Sequence, residues 1–203
     1  MLTILILASP ASAQSRFELG AGVTWTGGFD AGGGDALLTR NPATGSTPLT
    51  LFETSSRVKA APGASIIVGL RLTSRVAVEA MADYSRPVLR TTISNDFENA
   101  TGTTADSRLT SLVVGGSALY TFGSARLIPF AFGGAGWMRQ LDEDNVMLLT
   151  GAEAHGGGGV KYRLDRHFAL RGQGGVTIRQ KSIAFDERRR LQPQTWAGLT
   201  YHW

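Results

Sequence analysis

The sequence predicts an all-β fold, an eight-stranded antiparallel up-and-down transmembrane β-barrel. Three observations carry that expectation. Eight segments alternate apolar residues with small or polar ones at a period of two, the repeat of a strand whose two faces meet different surroundings. The connections between them alternate short and long, with three tight turns on one side and four longer segments on the other. No stretch approaches the roughly 18 to 20 apolar residues that a spanning helix needs.

The first strand is expected over Phe17 to Trp25, with Phe17, Leu19, Ala21, Val23 and Trp25 on one face and Glu18, Gly20, Gly22 and Thr24 on the other. A long polar connection is expected from Gly27 to about Arg57; connections of that length are usually functional or mobile. Its apolar patch Leu49, Leu51 and Phe52 either extends the second strand above the membrane or offers a contact point for a ligand. The second strand, about Ala60 to Leu72, sets Ala64, Ile66, Val68, Leu70 and Leu72 against Ser65, Gly69 and Arg71. After the turn Thr73-Ser74-Arg75, the third sets Val76, Val78, Ala80, Ala82 and Tyr84 against Glu79, Met81 and Asp83. A second polar connection is expected from about Arg86 to Ser107.

The fourth strand carries Leu112, Val114, Gly116, Ala118, Tyr120 and Phe122 on its apolar face. The turn Gly123 to Leu127 leads to the fifth, Phe130 to Met138, where alternation is weakest because Phe130 and Phe132 oppose Trp137. A third connection, Gln140 to about Leu149, contains Asp142-Glu143-Asp144, either a solvated run or a shared divalent-cation site; it lacks the spaced ligands of an EF-hand. The sixth strand points Glu153, His155, Gly157, Gly159 and Lys161 inward. Past the turn Leu164 to His167, the seventh sets Phe168, Leu170, Val176 and Ile178 against Arg171, Gln173, Thr177 and Arg179. A fourth connection, Lys181 to about Gln192, precedes the last strand, which ends on Tyr201-His202-Trp203.

A soluble, lipocalin-like barrel shares the strand number and the period. It would need the other face to be a water-loving surface, and that face is mostly Gly, Ala, Ser and Thr with isolated charges, suited to a narrow filled interior. The apolar face is free of charge, and Phe17, Trp25, Tyr84, Tyr120, Phe122, Tyr162, Phe168, Tyr201 and Trp203 gather near its ends, as interfacial girdles do.

Composition narrows the chemistry. The chain has no cysteine, which excludes disulfides, Cys-ligated zinc and thiol catalysis. Its net charge of +4 comes mainly from scattered arginines without interleaved aromatics, so nucleic acid is not an expected partner. Residues 1–13 read as a signal peptide, with an apolar run Leu2 to Leu7 and Ala11-Ser12-Ala13 at the cleavage point, although no basic residue precedes the run. Residues 14–203 are the barrel domain.

With its Gly-rich fifth and sixth strands and its terminal Tyr201-x-Trp203, the mature chain resembles the OmpA-like eight-stranded outer-membrane β-barrel family. The resemblance implies an outer-membrane location, loops outside the cell, and contact with outer-membrane lipids and lipopolysaccharide. It also implies that Tyr201 and Trp203 form the signal read by the barrel assembly machinery, and it carries over no catalytic residue or cofactor. A monomer is expected. Arg188-Arg189-Arg190 is either a solvated loop run or a contact for lipopolysaccharide phosphates.

The inward charges are the candidate site: Glu18, Arg71, Glu79, Asp83, Glu153, Lys161, Arg171 and Arg179. Registers set by the tight turns put Arg71 diagonal to Glu79, Gly69 opposite Glu79, Glu153 opposite Arg179, and Lys161 opposite Arg171. Two facing cations in a narrow lumen need counter-charges, which Glu18, Glu79 and Asp83 supply. The result is either a structural plug of ion pairs or the gate of a narrow pore. Of the three histidines, His155 and His202 face inward, and no triad around either can be named from the sequence. Gly156 to Gly159 lacks the residues of a phosphate loop and reads as close packing inside the barrel. The expected role is non-enzymatic, with envelope integrity, adhesion or surface recognition carried by the loops; a lipid A-modifying enzyme is the alternative.

Overall fold

The computed structural model describes residues 16–38, 49–94, 102–123, 125–142, 148–179 and 190–203. The signal-peptide segment, Glu143, Asp144, Arg188 and Arg189 lie outside these residues. Eleven strands run in chain order: β1 (Phe17–Thr26), β2 (Phe29–Leu38), β3 (Leu49–Val58), β4 (Ala61–Arg71), β5 (Val76–Ser85), β6 (Val88–Ser94), β7 (Thr104–Thr121), β8 (Leu127–Asp142), β9 (Leu148–Arg163), β10 (Phe168–Arg179) and β11 (Arg190–His202).

Eight of these strands close on themselves in the order β1-β4-β5-β7-β8-β9-β10-β11, all antiparallel. The seam is the pairing of first and last strands, from Glu18 opposite His202 to Thr26 opposite Gln194. A spanning sheet must close in this way, because hydrocarbon offers no partner for an edge N–H or C=O.

The tight turns form where their chemistry is written. Thr73 Oγ1 accepts from the Val76 and Arg75 amides at 2.9 and 3.2 Å. Asp165 Oδ1 accepts from the His167 and Phe168 amides, both at 2.7 Å. These two backbone bonds hold the Asp165 carboxyl below the usual carboxylate range. Gly123 sits at a φ of 127°, a region that side chains disfavour.

The first two polar connections are largely strand, which corrects the loop expectation. Gly27 to Arg57 contains β2 and most of β3, and Arg86 to Ser107 contains β6 and the upper end of β7. These pair in the order β2-β3-β6-β7, so one side of the wall continues as a four-stranded sheet beyond the barrel. Their sequence hides this because the exposed extension needs no apolar face, and Thr, Ser and Gly carry its alternation. A small cluster of Phe29, Ala31, Val58 and Leu89 ties it together. Leu51 and Phe52 lie in β3, which leads through Lys59 and Ala60 into β4, so the patch extends the strand above the membrane. Above Thr26 the chain leaves β11: β2 pairs with β3, while Leu191 to Pro193 pair with β10 among the described residues.

The faces are inverted relative to a soluble protein. Val23 is 64% exposed, Ile66 56% and Val114 62%, whereas Glu18, Glu79, Glu153, Lys161 and Arg171 are buried. Such an exterior belongs in hydrocarbon, which removes the soluble-barrel reading. The expected girdle residues all point outward, joined by Trp137, 58% exposed. Phe130 turns inward instead, and this resolves the ambiguous fifth strand.

Inward glycines make room for large lumen side chains. A Cβ on Gly198 would lie 2.7 Å from the Trp196 ring and against the Ala21 carbonyl, and one on Gly159 would lie 2.6 Å from Phe130. Of the Gly156–Gly159 run only Gly159 plays this part; a Cβ on Gly157 would meet the backbone of Gly174 and Gly175 in β10 instead. Replacing Gly198 by Leu is expected to destabilise the refolded barrel by about 1–3 kcal/mol through overpacking, read as a lower urea midpoint.

Candidate functional site: a charged lumen and a charged outer sheet

Four strands each contribute one charge to a square across the lumen: Glu18 from β1, Glu79 from β5, Lys161 from β9 and Arg171 from β10. Arg171 Nη1 and Nη2 donate to Glu79 Oε1 and Oε2 at 2.7 and 2.8 Å, a bidentate fork. Strands β5 and β10 are four apart either way round the ring, so this bond spans the barrel's diameter. Lys161 Nζ donates to both Glu18 oxygens at 2.8 and 2.6 Å. The other two sides, Lys161 to Glu79 at 3.7 Å and Arg171 to Glu18 at 3.8 Å, complete the square. Gln173 Oε1 accepts from Arg171 Nε and Nη2, and the Arg171 guanidinium lies over Phe130 and Trp196 at 4.8 and 5.5 Å.

The expected registers are present: Glu79 opposite Gly69, Lys161 opposite Arg171, and Glu153 opposite Arg179. Glu18 and Glu79 are the counter-charges, as expected. Asp83 and Arg71 are not part of the square. Asp83 sits one layer up, opposite Ser65, because four residues separate it from Glu79 along β5. Arg71 ends β4 opposite Ala77, two residue pairs beyond Gly69 and Glu79 and so diagonal to Glu79 in register, and lines the mouth.

The upper layer holds Asp83, Glu153, Arg179 and His155. Arg179 Nε donates to Glu153 Oε2 at 3.2 Å. His155 Nε2 meets Ser117 Oγ at 2.7 Å, and its Nδ1 lies 3.9 Å from Glu153 Oε1. Sequence reasoning missed this serine. The signal is a row across three strands, Ser117 opposite Gly134 opposite His155, in which the missing side chain lets the imidazole reach over β8. The arrangement lists the parts of a nucleophile, base and carboxylate, but 3.9 Å is too long for the orienting hydrogen bond. The adjacent cavity, bounded by Asp83, His155, Gln173, Gln194 and Trp196, is ≈ 20 Å³. That is space for one water and none for an acyl chain.

The second charged element is the outward face of the extension. Register places Asp30, Arg57, Arg90 and Asp106 in one row across β2, β3, β6 and β7. Arg90 forks onto Asp106 at 2.7 and 2.6 Å, and Lys59 Nζ lies 4.0 Å from the same carboxylate. These contacts hold the Asp106 carboxyl below its usual range, the Arg90 hydrogen bonds being the main cause. Asp30 Oδ1 accepts from the Gly32 amide at 2.9 Å, at a bulge where Gly32 takes a φ of 87°. Arg57 and Arg90 are thus like charges directly opposed at the middle of the row, flanked by the carboxylates of Asp30 and Asp106.

At the barrel's other end, Tyr201 packs between the His167, Phe168 and Trp203 rings at 5.9, 5.2 and 5.7 Å, and Trp203 stacks on Phe17 at 6.0 Å.

Two outcomes follow from these geometries. Glu79→Gln leaves the Arg171 guanidinium buried without its counter-charge and is expected to cost about 3–5 kcal/mol in urea unfolding, whereas Glu79→Leu combined with Arg171→Met costs far less. On the extension, Asp106 is expected to stay ionised as pH falls through the ordinary carboxylate range and to release Arg90 only below it. In Arg90→Ala its titration moves up, as read by NMR of the carboxyl carbon.

Comparison with known proteins agrees with this architecture. The family described as the outer membrane protein beta-barrel domain matches residues 1–198. No curated protein matches the chain by sequence. Among solved structures, the outer membrane protein OprG from Pseudomonas aeruginosa is 10% identical, with a TM-score of 0.59 over 93% of this chain and 96% of that one. Neisserial surface protein A is 13% identical, with a TM-score of 0.55 over 92% and 97%. The attachment invasion locus protein of Yersinia pestis, solved with the heparin analogue sucrose octasulfate, is 9% identical, with a TM-score of 0.54 over 94% and 99%. At these identities the likeness is one of fold. An inverted, closed eight-stranded wall and a family match along nearly its whole length make this chain a bacterial outer-membrane protein that belongs to the outer membrane protein β-barrel domain family.

Proposed function

We propose that this protein is a non-enzymatic surface-recognition barrel, in which the lumen is structural and the outer sheet with its connecting loops makes the contacts. The observation that carries this reading is the continuation of the wall as β2-β3-β6-β7, which lifts the Asp30, Arg57, Arg90 and Asp106 row clear of the apolar band. Asp106 is six residues beyond Leu112 along β7, roughly 20 Å of extended strand above the apolar wall. The basic members of this face, Arg57, Lys59, Arg90 and Arg108, suit phosphate or sulfate groups. The Yersinia attachment invasion locus protein, similar in fold, was solved in complex with a heparin analogue, which supports the idea that such a barrel can present a polyanion-binding surface. Lipopolysaccharide is the nearest source of such groups in an outer membrane.

The lumen argues in the same direction. The charge square and the one-water cavity leave no path for a solute of any size, so the ion pairs act as a plug and not as a gate. We assign Tyr201 and Trp203 as the assembly signal, on a strand whose aromatic cluster closes the seam, and a monomer as the working state.

The test is a set of three measurements on one preparation. Lipid A mass spectra with and without the protein are expected to be identical, and planar bilayers carrying the barrel are expected to stay silent. Binding of the nanodisc-embedded barrel to lipopolysaccharide is expected to fall about tenfold in Arg57→Ala/Arg90→Ala. A changed acyl pattern would make the protein an enzyme, and stepwise conductance would make it a pore. Deleting Trp203 is expected to lower the assembled fraction in outer membranes, measured by the mobility difference between unheated and boiled samples.

A further inference from the structure

Below the charge square, the lumen opens on the side of the tight turns and both strand termini, the periplasmic side of such a barrel. The opening is a vestibule of ≈ 650 Å³, within the size range of small-ligand sites. Its inner end is the Glu18 and Lys161 pair, with His202 beside it, and Leu119 and Ile128 form part of its wall. Its charge is unbalanced. Arg16, Arg71 and Arg166 line it beside Lys161 and Arg163, and the carboxylates among its described lining residues are those of Glu18 and Asp165. Glu18 is already bonded to Lys161 through both oxygens, and Asp165 is committed to two backbone amides of its own turn.

The arginines at this end fall into two groups. Arg75 reaches the Tyr120 hydroxyl at 3.4 Å, and Arg126 lies 4.9 Å over the Tyr162 ring, so both are engaged with the outer girdle. Arg16, Arg71 and Arg166 line the cavity, and no carboxylate among the described residues lies within ion-pair distance of any of them. They arrive from separate places in the chain: before β1, at the end of β4, and in the turn between β9 and β10. A dead-ended cleft in a low-dielectric wall concentrates the field of such charges. The plug blocks passage, so an anion drawn in has no exit through the barrel.

We propose that this vestibule is a binding site for a small, multiply charged oxyanion, bearing phosphate or carboxylate groups, that enters in soluble form from the periplasm. The three guanidinium groups supply forked donors matched to such oxygens.

Isothermal titration of the full barrel in phosphatidylcholine nanodiscs tests this, with pyrophosphate and citrate as the two probes at ionic strength held constant with sodium chloride. Saturable binding of either probe at one site per barrel is expected. It should weaken at least about tenfold in Arg16→Ala/Arg71→Ala/Arg166→Ala and stay unchanged in Arg75→Ala/Arg126→Ala, which removes the two girdle-engaged arginines of the same end. The gel-mobility shift of each variant confirms folding, and because the three rim residues lie outside the charge square, the barrel is expected to close without them. Heats no larger than those of sodium chloride, or a triple variant that binds like the parent, would overturn the proposal. So would loss of probe binding in phosphatidylglycerol nanodiscs, which would give the site to a lipid headgroup.

Discussion

A closed sheet with hydrocarbon outside and only eight strands around has a narrow centre, so the polar groups buried there beside Ile67, Met138 and Trp196 must satisfy one another. In this barrel that task falls to buried charge. The Glu79 and Arg171 fork crosses the full width of the lumen, and the Lys161 and Glu18 pair crosses beside it, so four strands distant in sequence are joined at one level. Attraction between groups in a low dielectric offsets their loss of water only when every lone pair and proton is used. The square meets this demand through forked geometry, the Gln173 acceptor and the aromatic faces of Phe130 and Trp196.

That constraint governs the glycine content too. Large lumen side chains in a narrow ring can be accommodated only opposite positions with no side chain. Trp196 lies over Gly198, Phe130 over Gly159, and His155 reaches past Gly134 to Ser117. Sterics and electrostatics are therefore one design, in which the residues that close the centre require the residues that vacate it.

The same wall behaves differently at its two ends. On the outer side β2, β3, β6 and β7 continue past the barrel and present a charged row held by the Arg90 and Asp106 fork. On the side of the tight turns the wall stops near the girdle and encloses an arginine-lined vestibule instead. The paired charges of Glu18, Glu79, Lys161 and Arg171 lie between the two surfaces.

The period-two pattern by itself determined the class, the strand number, the outward face and most of the girdle, because a membrane-spanning strand must alternate residue by residue between lipid and lumen. Hairpin registers were also legible wherever a tight turn fixed them, which is why Gly69 opposite Glu79 and Lys161 opposite Arg171 could be placed from the sequence. Only the tertiary structure decided which charges meet across the lumen. Contacts such as Glu79 to Arg171 depend on closure and on the relative height of non-adjacent strands, which no local pattern encodes. The same holds for Asp83, an expected counter-charge to Lys161 and Arg171 that lies a layer above them, and for Ser117, whose partner His155 lies two strands away. The outer extension was hidden for another reason: beyond the small Phe29, Ala31 and Val58 cluster it carries few apolar residues, so the hydrophobic alternation that marks a strand fades while its backbone pairing continues.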